Sequence, residues 1–102
     1  MAQLQFNAAV GVRYSHYAGA VTTQIIKASP GLLDGIMLNA STTTCLLYDS
    51  ATAAGAGAGT LIASITPANF IYPGGITYSL NFNNGLVITT TGGSADVTVM
   101  YR

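Results

Sequence analysis

Residues 80–102, LNFNNGLVITTTGGSADVTVMYR, alternate apolar and polar side chains with the period of a half-buried strand, a pattern that an α-helix would scatter around its axis. Leu80 and Phe82 fall on one side and Asn81 and Asn83 on the other. Asn84-Gly85 then supplies the left-handed backbone of a tight turn, and residues 86–91 continue as a β-branched run. Gly92-Gly93 gives a second reversal, after which Val97, Val99 and Tyr101 share one face while Asp96, Thr98 and Met100 share the other. The expectation is three adjacent antiparallel strands joined by two turns.

The same grammar recurs upstream. Leu4 and Phe6 alternate with Gln3 and Gln5, and after Asn7 a second alternation sets Val10, Val12, Tyr14 and His16 against Arg13, Ser15 and Tyr17. Residues 1–16 read equally well as an edge strand or as an arm that packs on a neighbouring subunit, which makes Leu4 and Phe6 candidate interaction residues. Residues 20–28 form a β-branched strand with Val21, Thr23 and Ile25 on one face, broken by Ser29-Pro30-Gly31. Residues 32–40 resume. Their Leu32, Leu33, Ile36 and Met37 have helical spacing, but Gly35 in the middle and strand-like flanks favour a strand. Residues 43–49, TTCLLYD, are apolar on both faces, as a central, covered strand would be.

Residues 50–59, SATAAGAGAG, have no hydrophobic face and read as a flexible loop; the Lys-Ser/Thr that a phosphate-binding loop needs after its glycines is missing. Residues 60–66 form a strand expected to turn Leu61, Ala63 and Ile65 inward. Pro67 and Pro73 bracket an aromatic segment in which Phe70, Ile71 and Tyr72 make a short edge strand and a second candidate contact. Seven or eight strands at intervals of roughly 8 to 12 residues are the signal for an antiparallel β-sandwich or barrel occupying residues 1–102 as a single domain.

Composition sharpens this. Only Arg13, Lys27, Arg102, Asp34, Asp49 and Asp96 carry full charge, glutamate is absent, and thirteen Thr and twelve Gly stand where a helical protein would place its wet faces. A net charge near zero gives little colloidal repulsion, so the surface suits a component covered by neighbours, and a homo-oligomer is expected. Three isolated cations do not make a nucleic-acid-binding patch. Neither a signal peptide nor a run of about 18 apolar residues is present, so no membrane span is expected.

The search for chemistry returns little. The three aspartates stand beside Gly, Ser or a strand start, where turns use Asx side chains, and His16 with the lone Cys45 lacks any metal-ligand spacing. No catalytic, metal or cofactor residue is expected, and Cys45 reads as a small buried hydrophobe. The six tyrosines, Tyr14, Tyr17, Tyr48, Tyr72, Tyr78 and Tyr101, suit either a sugar-stacking platform or strand edges and subunit contacts.

Taken together, Ser29-Pro30-Gly31, a strand ending near Asn39, Leu47-Tyr48-Asp49, a small-residue loop, Phe82-Asn83-Asn84-Gly85-Leu86 and Ala95-Asp96-Val97-Thr98-Val99 make a pattern of turns and strands over roughly residues 22–102. It resembles small β-sandwich virion proteins of tailed bacteriophages. The resemblance implies a jelly-roll-like sandwich that acts as a capsid decoration (cement) protein on the major capsid protein lattice, as a homotrimer at threefold positions, on a virion assembled in the bacterial host cytoplasm. A receptor- or glycan-binding module of a head or tail fibre is the alternative it implies.

Overall fold

The computed structural model describes residues 12–40, 44–66, 74–92 and 95–102. The candidate contact residues Leu4, Phe6, Phe70, Ile71 and Tyr72 all lie outside them. Eight strands follow one another: β1 (Arg13–Ala18), β2 (Val21–Lys27), β3 (Gly31–Leu38), β4 (Thr44–Tyr48), β5 (Leu61–Ile65), β6 (Gly74–Phe82), β7 (Leu86–Thr91) and β8 (Asp96–Tyr101). They form two four-stranded antiparallel sheets, ordered β1-β8-β3-β6 and β2-β7-β4-β5. The first is called sheet A and the second sheet B.

Pairing is nested about one loop. β4 pairs with β5, β3 with β6, β2 with β7 and β1 with β8, and the pairs alternate between the two sheets. Among the described strands only the β4–β5 connection therefore stays within a sheet; every other connection carries the chain from one sheet to the other. That corrects the sequence expectation for residues 80–102. β6, β7 and β8 are three strands, but β6 and β8 belong to sheet A and β7 to sheet B, and the Asn84-Gly85 turn is a corner between sheets, not a hairpin. The physical reason lies in β7: Leu86, Val87 and Ile88 are each fully buried, and such a strand gains most in the middle of a sheet, here between β2 and β4.

The core is shared between the layers. Sheet A contributes Leu33, Ile36, Leu38, Phe82, Val97 and Val99, and sheet B contributes Cys45, Leu47, Ile65, Leu86 and Ile88, to one cluster. Tyr17, Val21, Ile26, Ile62, Ala63 and Tyr101 pack around it. Two faces packed through interdigitating side chains make the β-sandwich.

Bulges explain where simple alternation misleads. Between Leu33 and Gly35, β3 advances two residues while β8 advances one, from Tyr101 to Met100. The extra residue, Asp34, lets Leu33 and Ile36 both face the core, which is the three-residue spacing that imitates a helix. β5 carries another extra residue opposite the Leu47-Tyr48 step, so Ile62 packs on the core and Leu61, expected inside, points out at 43% exposure. In β2 a shift between Val21 and Gln24 separates Val21, which packs on the core, from Ile25, which is 41% exposed. Thr23 takes φ 43° there, a left-handed conformation uncommon for a β-branched residue, with its N–H donated to Thr89 Oγ1 at 2.9 Å.

The loop between β4 and β5 is more tightly tied than its composition suggests. Ser50 Oγ donates to Thr52 O at 2.7 Å, Thr52 Oγ1 accepts Gly55 N–H at 3.1 Å, and Thr60 Oγ1 accepts Gly57 N–H at 3.1 Å in a short 3₁₀ turn, Ala58–Thr60. Hydroxyls supply the order that side-chain burial does not.

Cys45 is fully buried, as its apolar neighbours in sequence suggest, and burial pushes its thiol up to about 12. At about pH 8 its thiolate fraction is then about one in ten thousand. Native protein is expected to resist a thiol reagent such as iodoacetamide until it unfolds. Complete labelling within seconds under native conditions would contradict this burial.

Candidate interaction surface

Strand parity assigns each side chain to the core or to one of two outer faces. On the outer face of sheet B, Ile25 pairs with Val87, Val87 with Tyr48, and Tyr48 with Leu61, so one register row crosses all four strands with apolar or aromatic residues. Val87 is fully buried between its neighbours, although it lies outside the inter-sheet cluster, and Ile25 and Leu61 leave 41% and 43% of their surface open. The next row, Thr89, Leu46 and Ser64, is hydroxyl-rich.

The outer face of sheet A carries Tyr14 beside Met100, and Met37 across from Thr98. Tyr14 is 72% exposed and Met37 46%. Next to them is a polar group: His16 pairs with Thr98 in register and meets the Asp96 carboxylate, while Asn39 Nδ2 donates to Asp96 Oδ1 at 3.0 Å and to Thr98 Oγ1 at 3.3 Å. The hydrogen bonds from Asn39 and then from His16 hold the Asp96 carboxyl below the usual carboxylate range.

The other two aspartates also act over long range. Asp34, raised on its bulge, receives both Nε and Nη2 of Arg102, at 3.0 and 3.3 Å, and the pairing raises the Arg102 guanidinium further. Asp49 reaches from the end of β4 to the sheet-to-sheet corner, where it accepts the N–H groups of Asn83 at 2.9 Å, Asn84 at 2.8 Å and Gly85 at 3.3 Å. Partial burial alone would raise its pKa, but those three N–H donors outweigh it and hold the carboxyl low. Each aspartate thus joins strands distant in sequence instead of closing its own turn. Sequence reading missed this because an Asx turn and a long-range acceptor leave the same trace, an aspartate beside a loop.

Acid should therefore loosen the fold. Asp49 and Asp96 have folded-state pKa values below their unfolded ones, so the stability they contribute is fully present above the unfolded value of about 3.9 and fades as pH falls through the folded values. The thermal midpoint, followed by circular dichroism, is expected to stay level between about pH 7 and 5 on account of these groups and to drop below about pH 4, less steeply in an Asp49→Asn variant. The same acid slope in that variant would remove Asp49 from the account.

Tyr14, Tyr17, Tyr48 and Tyr101 do not form a stacking platform. Tyr14 faces out from sheet A, Tyr48 from sheet B, and Tyr17 and Tyr101 turn toward the core. Among the described residues there is no group of three or more His, Cys, Asp or Glu placed to hold a metal ion, and no helix long and apolar enough to cross a membrane.

What the arrangement offers is contact surface: an apolar row on the outer face of sheet B, exposed Tyr14 and Met37 among polar neighbours on that of sheet A, and at one end of the sandwich an open groove between the end of β6 and the residues that lead into β3. In comparisons with known proteins no family model matches the chain, and no curated protein and no solved structure matches it either.

Proposed function

We propose that this chain is a non-enzymatic structural protein that assembles by its sheet faces, and that it serves as a decoration protein on a phage capsid lattice. The observation that carries the assembly reading is the row across sheet B, in which Ile25 and Leu61 stay 41% and 43% exposed on either side of half-buried Tyr48 and buried Val87, on a face that the protein's own core does not use. Burial of large apolar side chains against a neighbour contributes about 1.5–3 kcal/mol each before ordering costs, so a row of this kind repeated in every subunit supports a stable contact. A chain with only six charged side chains adds little repulsion against that contact.

The capsid assignment draws on the resemblance of residues 22–102 to small virion β-sandwiches, and the nested strand order supports it, being the order in which a hairpin strip wraps into a jelly roll. A second reading, a receptor- or glycan-binding fibre module, is favoured by the end groove, where the fold gathers cationic and amide side chains.

Light scattering at high micromolar concentration tests the assembly reading. A mass three times that of the chain is expected, and Leu61→Lys on the outer row should shift the population toward monomer without lowering the thermal midpoint. A wild-type monomer at that concentration would overturn it.

A further inference from the structure

The aspartates of this chain are all engaged away from Lys27. It has three carboxylate side chains, and each is engaged: Asp34 by Arg102, Asp49 by three backbone N–H groups, and Asp96 by His16 and Asn39. Lys27 makes no ion pair with any of the three aspartates, and the Arg102 backbone oxygen lies close to it, beside the place where a Cβ on Gly31 would stand. Its ammonium instead sits 6.0 Å from the centroid of the Phe82 ring. The bareness of Gly31 makes room for it, since a Cβ there would come within 2.8 Å of Lys27 Nζ. Lys27 thus stands over the Phe82 ring with no aspartate side chain paired to it.

That place is the rim of the end groove, ≈ 480 Å³ in volume and open to solvent, lined by Lys27, Pro30, Leu32, Asn81, Asn83 and Arg102 above Phe82. Pro30 and Leu32 provide an apolar wall, and the amides of Asn81 and Asn83 can each donate and accept. β6 is the outermost strand of sheet A among the described residues, so the groove opens beside a strand edge whose backbone groups face outward at alternate positions.

We propose that this groove binds an acidic side chain carried on an extended segment of a different protein, which lies along the end of β6 and places its carboxylate on Lys27, beside Asn81 and Asn83. Strand addition supplies main-chain hydrogen bonds without sequence preference, and a cation at the rim of the groove supplies the preference. A second copy of this chain is not the occupant. It has no glutamate, and all three of its aspartates are held within the fold. The inference rests on the assembly reading only in taking the partner to be a protein.

Titration of ¹⁵N-labelled protein with acetyl-TVEVT-amide, with its glutamine counterpart acetyl-TVQVT-amide, and with sodium glucuronate tests it. The acidic peptide is expected to shift the backbone amides of Lys27, Leu32, Asn81 and Asn83 and to bind roughly tenfold or more tightly than the glutamine peptide at low salt. Lys27→Gln should abolish that preference with the thermal midpoint unchanged, and Lys27→Arg should keep it. Equal binding of the two peptides, shifts confined to other residues, or a preference that survives Lys27→Gln would overturn the proposal. Tighter binding of glucuronate than of the peptide would assign the groove to a sugar acid and overturn the protein occupant. All of these outcomes are independent of the mass measurement that tests assembly.

Discussion

Phe82→Ala is expected to cost about 3–5 kcal/mol, the largest loss among single core truncations here. Phe82 is the largest of the fully buried side chains, with 1% of its surface exposed, and it closes the core at the end of β6. It also forms the floor of the groove and the surface on which Lys27 rests. Among the described residues β6 pairs only with β3, and truncating a close-packed side chain there leaves a cavity. A domain of this size is held by about 5–15 kcal/mol in all, so the variant should melt far below the wild type or fail to fold at ordinary temperature. Chemical denaturation followed by circular dichroism measures it. A loss below about 1 kcal/mol would mean that the ring is not packed as described.

Gly85→Ala should be nearly as damaging for a different reason. At the corner between β6 and β7 a Cβ would stand 2.5 Å from Ser50 O, 2.7 Å from Lys27 O and 2.8 Å from Ala51 Cα. All three are backbone atoms, so no side chain can swing away to make room. Relief requires the corner to move off the β4–β5 loop, which would pull Asn83, Asn84 and Gly85 away from the Asp49 carboxylate. Overpacking typically costs about 1–3 kcal/mol, and loss of charge-assisted hydrogen bonds adds to it. Equilibrium unfolding is the check, with Gly57→Ala as the control because a Cβ there meets nothing within 4 Å. Equal stability of the two variants would show that the corner is not clamped.

Gly85 also marks where sequence reading stopped. Asn-Gly between two alternating runs is the strongest short-range hairpin signal, and the same two residues serve a corner between sheets because what decides is the partner of the following strand. Leu86, Val87 and Ile88 hold that information as an unbroken apolar run, which a one-faced hairpin strand does not need. Strand identity was easier to read: each of β1 to β8 coincides with a stretch of β-branched or alternating residues bounded by Gly, Pro, Asn or Ser. Facing was lost wherever a bulge intervened, at Asp34, near Thr23 and opposite Tyr48, because one extra residue exchanges the faces of all that follow.

The surface features were hidden for a related reason. Ile25, Val87, Tyr48 and Leu61 come from four separated segments and form a row only once register is fixed. Lys27, Asn81 and Arg102 meet in a groove only because β3 pairs with β6 and the last residue lies against Leu32, with Arg102 N–H donated to Leu32 O at 2.8 Å. Val12 and Tyr14, which the sequence sets on one face, are exposed at 49% and 72%.

The proposal that this is a lattice-covering structural protein makes one quantity decisive, the number of copies per particle. Lattice symmetry repeats a decoration site over the whole shell, whereas fibres occupy few positions. Quantitative mass spectrometry of purified particles of the phage that encodes the chain, referenced to their major capsid protein, should find it in hundreds of copies at a fixed ratio to that protein. A count in the tens would contradict the decoration role and favour the fibre module, and absence from purified particles would contradict a virion role altogether.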